Sequence, residues 1–301
     1  METAIHVLAV LGLPLLLRGV INKTKAAFAG RVGPPLLQPF YDVIRLVQKD
    51  SVISQTTGWV FRAGPVVSLA TALLASLLLP FGRETAPVSF SGDVLLFVYL
   101  LALGRFFLAI ASLDTGSAFE GMGVTRELTF SALAEPALFF GFLVMASLSR
   151  SLNLSEMLGE SFGAQWQTGG ASLVLVLVSW FIVLLAENSR IPFDDPNTHL
   201  ELTMIHEVIV LDHSGPALAM ILYGAAVKLL LFCAMIVQLL SPIDSGYVLV
   251  DAAVFVVETL VLAAIIGVIE STMARLRMPD VPRLLVTACV LSAFGIILLP
   301  R

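Results

Sequence analysis

Residues 216–240 read PALAMILYGAAVKLLLFCAMIVQLL, an apolar run broken by one formal charge, Lys228. About 20 mostly apolar residues suffice for a helix to cross the hydrocarbon core of a bilayer, so the stretch reads as a membrane span. Working outward, seven more segments meet the same test: 4–21, 62–81, 93–112, 127–148, 171–187, 248–269 and 283–300. The whole chain has 301 residues, 58% hydrophobic and 13% charged, with a mean hydropathy of +0.95. Ordinary soluble domains are about 45–50% apolar and about 25% charged, so most of this surface is not built for water. Disorder, nucleic-acid binding and a secreted disulfide scaffold are excluded. The apolar runs are also too long for barrel strands. The expectation is an all-α polytopic membrane protein with eight spans, organised as one domain over 1–301. Met1-Glu2-Thr3 puts an acid where a signal peptide carries basic residues, so the first span is expected to be retained.

The charges are unevenly distributed. Twelve of the 17 Lys and Arg residues fall on one side: Arg18, Lys23, Lys25, Arg31, Arg45, Lys49, Arg62, Arg126, Arg190, Arg275, Arg277 and Arg283. Only Arg83, Arg150 and Arg301 fall on the other, while Arg105 and Lys228 lie within spans. Basic residues mark the cytoplasmic side. That places the first, third, fifth and seventh connections in the cytoplasm, both termini outside, and the chain in the cytoplasmic membrane. No inverted repeat of the kind that marks many secondary transporters is visible.

Polar chemistry is concentrated in three connections on the basic side. In the first, a turn at Gly30–Pro35 precedes 36–49, where Phe40, Val43, Ile44 and Val47 recur at helical spacing opposite Asp42, Arg45 and Lys49. This is the pattern of an amphipathic surface helix. The second runs through Asp114, Glu120, Arg126 and Glu127, with Glu135 beyond it inside the fourth span, followed by Pro136. A lone carboxylate in hydrocarbon costs on the order of 2.5–3.5 kcal/mol, so Glu135 needs a partner or water. The third holds Glu187, Arg190, Asp194, His199, Glu201, His206, Glu207 and His213. On a helix His199, Thr203, His206 and His213 would share one face. The spacing fits a polar wall lining a hydrated cavity better than a zinc site, whose ligands usually sit one turn apart. Inside the spans, Lys228 faces a choice between an ion pair and a proton relay with Asp251 and Glu258, and Arg105 either snorkels or pairs with Asp114. Cys233 and Cys289, both in apolar runs, supply no iron–sulfur or zinc framework.

Three motifs together carry a resemblance: Gly30-Arg31-x-Gly33-Pro34 with Gln38-Pro39-x-x-Asp42, Glu187-x-x-Arg190-x-Pro192-Phe193-Asp194, and Glu201-Leu202. Over nearly its whole length the chain resembles the membrane subunit that joins the redox arm to the membrane arm. That family includes subunit 1 of respiratory complex I and its counterpart in group 4 energy-converting nickel–iron hydrogenases, formate hydrogenlyase among them. Pro35, the segment Asp195–His199, and the stretches Leu113–Ser117, Thr125–Glu127, Thr198–Gly215 and Ser271–Arg277 look like the hydrogenase-type members.

The resemblance implies a coupling subunit without a redox centre of its own. Iron–sulfur clusters and nickel–iron chemistry would belong to hydrogenase-like large, small and iron–sulfur subunits docked on the cytoplasmic face, with antiporter-like subunits beside it in the bilayer. It makes Arg126, Glu135, Glu187 and Glu201 members of the family's chain of acids, with Glu207, Lys228 and Glu258 as further relay candidates. Arg31, Gln38, Asp42, Arg190 and Asp194 become docking candidates. The altered loops put a bound quinone in doubt, and the alternative is a quinone-binding subunit 1 of an NADH:quinone oxidoreductase-type complex. An independent transporter and a passive anchor are the competing classes. The missing repeat weighs against the first, and intramembrane Glu135, Lys228 and Glu258 weigh against the second.

Overall fold

A computed structural model describes residues 2–54, 56–82, 85–159, 162–194, 205–240 and 247–299. Its helices are α1 (Glu2–Phe28), α2 (Gln38–Val47), α3 (Trp59–Leu78), α4 (Asp93–Leu113), α5 (Ala118–Ser149), α6 (Leu154–Leu158), α7 (Phe162–Glu187), α8 (His206–Ile209), α9 (Gly215–Leu240), α10 (Val248–Thr272) and α11 (Asp280–Ile297). Eight of them are long and apolar enough to cross a membrane, as the sequence predicts. No strand occurs among the described residues.

The boundaries differ most where polar residues hide a helix. The fourth span starts at Ala118, not near 127, because Ser117 caps the helix by accepting the Glu120 N–H. Glu120, Arg126 and Glu127 are therefore helical, not loop. The α5 helix also continues through Pro136. The surface helix is shorter than 36–49, spanning Gln38–Val47, and starts with Pro39 in its first turn.

α9, the stretch quoted first, is the central helix. It is apolar all round, and its second half is buried almost residue by residue from Leu229 to Leu239. α1 and α3 flank it, α3 packs along α4, α1 along α10, and α5, α7 and α11 form a second group. Between hydrocarbon-filled helices the hydrophobic effect gives no preference, so close packing and interhelical hydrogen bonds hold the bundle. A Cβ on Gly104 would lie 2.4 Å from Thr71 Oγ1, and one on Gly64 2.5 Å from the Ala111 Cβ, so α3 and α4 meet nearly backbone to backbone. Ser292 donates to Ser179 (2.6 Å), which donates to the Ala288 carbonyl (2.8 Å), tying α11 to α7. Phe97, Phe142 and Trp180 form an edge-to-face aromatic stack across α4, α5 and α7.

At the basic end, the chain leaving α1 doubles back so tightly that the Leu36 carbonyl sits where a Cβ on Gly19 would be. That return brings α2 against α9 and α1. The segment after α10 is clipped to the third connection by the Leu276 N–H, donated to the Pro192 carbonyl at 2.9 Å.

Candidate functional site

α4, α5, α7 and α9 bring their charged residues to one place. Glu187, at the C-terminal end of α7, is 4% exposed in its side chain, and both of its cations bind a single oxygen: Lys228 Nζ at 2.7 Å and Arg105 Nη2 at 2.9 Å from Oε2. The other arm of the Arg105 fork, Nη1, reaches Glu135 Oε1 at 2.8 Å. Arg105 thus bridges two carboxylates on different helices through two separate nitrogens, which the planar guanidinium fork has and an ammonium lacks. Four-residue spacing sets Glu127, Ser131 and Glu135 along one side of α5. Glu127 Oε2 lies 3.7 Å from His206 Nδ1 on α8.

Three cavities meet at Glu187. The largest, about 300 Å³, also touches Arg18, Arg105, Glu127, Glu207 and Lys228. A small one of about 20 Å³ runs between Glu127, Ser131 and Asp194, and another of about 10 Å³ between Arg105, Glu135 and Phe232. A single water needs roughly 10–15 Å³ by this measure, so each small cavity has room for about one. The arrangement is a row of carboxylates separated by water-sized gaps, Glu187 and Glu135 opposed by Arg105 and Lys228 and Glu127 by the His206 ring.

A second knot lies nearer the basic end. Buried Glu270 of α10 is gripped by Lys25 of α1 (2.8 Å) and by Arg190 of the third connection (3.3 Å). Asp194 takes Arg275 at 2.8 Å and accepts the Ile205 and His206 N–H groups at 3.1 Å each. His213 stacks on Phe61 at 4.1 Å, 4% exposed, with neither ring nitrogen hydrogen-bonded among the described residues. Burial pushes its pKa down to about 4, against an opposing pull from Asp212.

Several expected pairings are corrected. Arg105 does not pair with Asp114, which accepts the Gly58 N–H at 2.5 Å and so helps hold the start of α3. Lys228 pairs with Glu187, not with Asp251 or Glu258. α8 is only four residues long, so His206 and His213 do not share a helical wall; one faces Glu127 and the other Phe61. Among the described residues no group of three or more His, Cys, Asp or Glu side chains is placed to hold a metal.

Of the relay candidates, Glu135, Glu187 and Lys228 form one ion-pair network, and Glu207 lines its cavity. Arg126 lies along α5 against Met122 (3.1 Å), outside that cavity's lining. Glu258 sits half-buried midway along α10, with no ion pair among the described residues. Glu201 and His199 lie outside the described residues. Of the docking candidates, Arg31 is exposed, and Gln38 and Asp42 are joined at 2.8 Å on α2. Arg190 and Asp194 are buried, so they brace the loops from within. Sequence reasoning missed Lys25 and Glu270 as network members and Arg18 as part of the large cavity's lining. No local motif marks them, since their partners are far away in sequence.

The match to the model of the NADH dehydrogenase family extends over residues 1–300. The chain belongs to the NADH dehydrogenase subunit 1 family. Within this family it is 31% identical over 287 residues to formate hydrogenlyase subunit 4 of Escherichia coli, covering 93% of this chain and 92% of that one. It is 30% identical over 268 residues to hydrogenase-4 component C of the same organism, covering 87% and 84%. A chain in the structure of the membrane-bound sulfane sulfur reductase, an archaeal respiratory membrane complex, superposes with a TM-score of 0.84 over 99% of both chains at 19% identity. At that identity the likeness establishes the shared fold. Family membership and the motif set agree with the resemblance read from the sequence.

Proposed function

We propose that this subunit anchors a hydrogenase-like redox module on the basic, cytoplasmic face of a complex I-related membrane complex and passes its redox energy to proton or sodium translocation. Its termini lie outside, and antiporter-like subunits continue the path in the bilayer. The observation that carries the reading is the row of carboxylates and water-sized gaps from Glu127 through Glu187 to Glu135, with Arg105 bridging the last two. Withdrawing a cation from a buried carboxylate favours its protonated form, and returning the cation expels the proton. A small displacement of the Glu127–His206 contact or of Arg105, driven from the loops, therefore has a protonation consequence inside the membrane.

The chain has two cysteines, on separate helices α9 and α11, too few for an iron–sulfur cluster held by four thiolates. Under this reading the electron carriers belong to partner subunits, iron–sulfur clusters with nickel–iron where the partner is a hydrogenase.

The test compares ion transport with electron transfer in the assembled complex reconstituted into vesicles. Glu135→Gln keeps size and hydrogen bonding while removing titration. It is expected to lower ion transport strongly and leave electron transfer from artificial donors largely intact. Wild-type transport stoichiometry in the variant would reduce Glu135 to a counter-ion for Arg105.

The second reading, a quinone site, draws on the size and apolar wall of the 300 Å³ cavity. Under the favoured reading, quinone is not the obligatory acceptor. A quinone-site inhibitor that abolishes turnover, and is competed by added quinone, would reverse that preference.

A further inference from the structure

Nearly every intramembrane cation at this end of the bundle has a carboxylate. Arg105 has Glu135 and Glu187, Lys228 has Glu187, Lys25 has Glu270. Arg18 is different. Among the described residues its guanidinium makes one hydrogen bond, Nη1 to the Leu222 carbonyl at 3.1 Å, and no ion pair. Its charged surroundings are Arg190, Asp42 and Glu270, and Glu270 is already claimed by Lys25 and Arg190. Four of its five N–H groups are therefore left to other partners, in a segment where an unneutralised charge is costly.

Arg18 lines the 300 Å³ cavity. So does Ser68 of α3, whose hydroxyl makes no hydrogen bond among the described residues. Facing them are Leu218, Ile221 and Leu222 of α9, which give one wall of the cavity an apolar surface. A forked donor, a spare hydroxyl and an apolar wall within a membrane-spanning bundle suit a ligand with an oxyanion head and a hydrocarbon body. Guanidinium forks hold phosphate by paired hydrogen bonds. The lining sets Arg18, Arg105, Arg190 and Lys228 against Glu127, Glu187 and Glu207. Glu187 is taken up by Arg105 and Lys228, and pockets between spans with such an excess of cations lodge anionic headgroups.

We propose that this cavity seats the phosphate of an anionic phospholipid on Arg18, with a chain along the Leu218–Leu222 wall. A free oxyanion would use the same fork but gain nothing from the wall. The proposal does not depend on ion coupling, since a complex that transported no ions could still hold the lipid.

The experiment uses the intact complex, purified in detergent and exchanged into nanodiscs of phosphatidylcholine with or without phosphatidylglycerol. Retained lipid is read by native mass spectrometry and thermal stability by the unfolding midpoint. Phosphatidylglycerol is expected to stay with the wild-type subunit and raise the midpoint. Arg18→Gln should retain roughly tenfold less, and Arg18→Lys an intermediate amount. Should Arg18→Gln fail to assemble, Ala225→Leu carries the test, because it fills the cavity from α9 without touching the charge, and it too should lose the lipid. Equal retention in wild type, Arg18→Lys and Ala225→Leu would overturn the proposal, as would equal retention of phosphatidylcholine. Protection by inorganic phosphate as complete as that by phosphatidylglycerol would overturn the phospholipid assignment.

Discussion

Glu187 and Glu135 share Arg105 but occupy different environments. Glu187 is buried beneath two cations, and Glu135 keeps 36% of its side chain exposed at the edge of the bundle. Removing one member of a buried pair strands its partner and costs about 3–5 kcal/mol. Removing Glu135 strands no cation, because Arg105 keeps Glu187, whereas removing Glu187 takes from Lys228 its carboxylate. Glu187→Gln is therefore expected to lower the thermal midpoint of the subunit clearly, and Glu135→Gln hardly at all. Similar midpoints for both would mean that Lys228 and Arg105 find other counter-charges. Arg105→Lys tests the bridge itself, since one ammonium cannot bind both acids as the fork does. The expected result is assembly with lost ion transport; full transport would show that a point charge is enough.

At the scale of elements, the short α8 and the turn after it are held by Asp194 at the first N–H groups, by His206 beside Glu127, by Ser214 on the Val52 backbone and by His213 on Phe61. The ring of His213 is held neutral, so between its free value near 6.5 and about 4 the released state takes up a proton that the docked state refuses. Docking is thus fully stable above about pH 6.5 and weakens as pH falls, by up to roughly 3 kcal/mol. Hydrogen exchange at 205–214 should accelerate between pH 7 and pH 5 in the wild type but not in His213→Phe. Equal acceleration in both would assign the effect elsewhere. The return of the chain past Gly19 gives a second expectation. Gly19→Ala forces a Cβ onto the Leu36 carbonyl, with overpacking worth about 1–3 kcal/mol. Amide exchange in α2 should rise, and unchanged protection would show that the turn absorbs the methyl group. Neither feature was legible in the sequence. The eight spans were, because hydropathy over twenty residues is a local quantity. By contrast, Arg105 finds Glu187 across 82 positions and Arg190 finds Glu270 across 80. The start of α5 was missed because its polar first turns, Glu120 to Glu127, look like loop until the Ser117 cap is seen.

For the whole molecule, the basic face is a platform of exposed and buried charges with different duties. Lys23 and Lys49 are exposed, whereas Lys25 is held by Glu270. Amine-directed crosslinks to the soluble redox module are therefore expected from Lys23 and Lys49, with Lys25 much less reactive. Crosslinks confined to lipid, or to proteins of the opposite face, would remove the docking role from this surface. Glu270 joins the earliest helix to the third connection and to α10, and it is the last of the three to be synthesised. Until α10 is made, Lys25 and Arg190 have no such counter-charge, so the nascent chain passes through a stage with two cations waiting at the membrane boundary. Closure of the basic end is thus a late event in biogenesis, begun by the Glu270 carboxylate and completed when Arg275 and Leu276 reach Asp194 and Pro192.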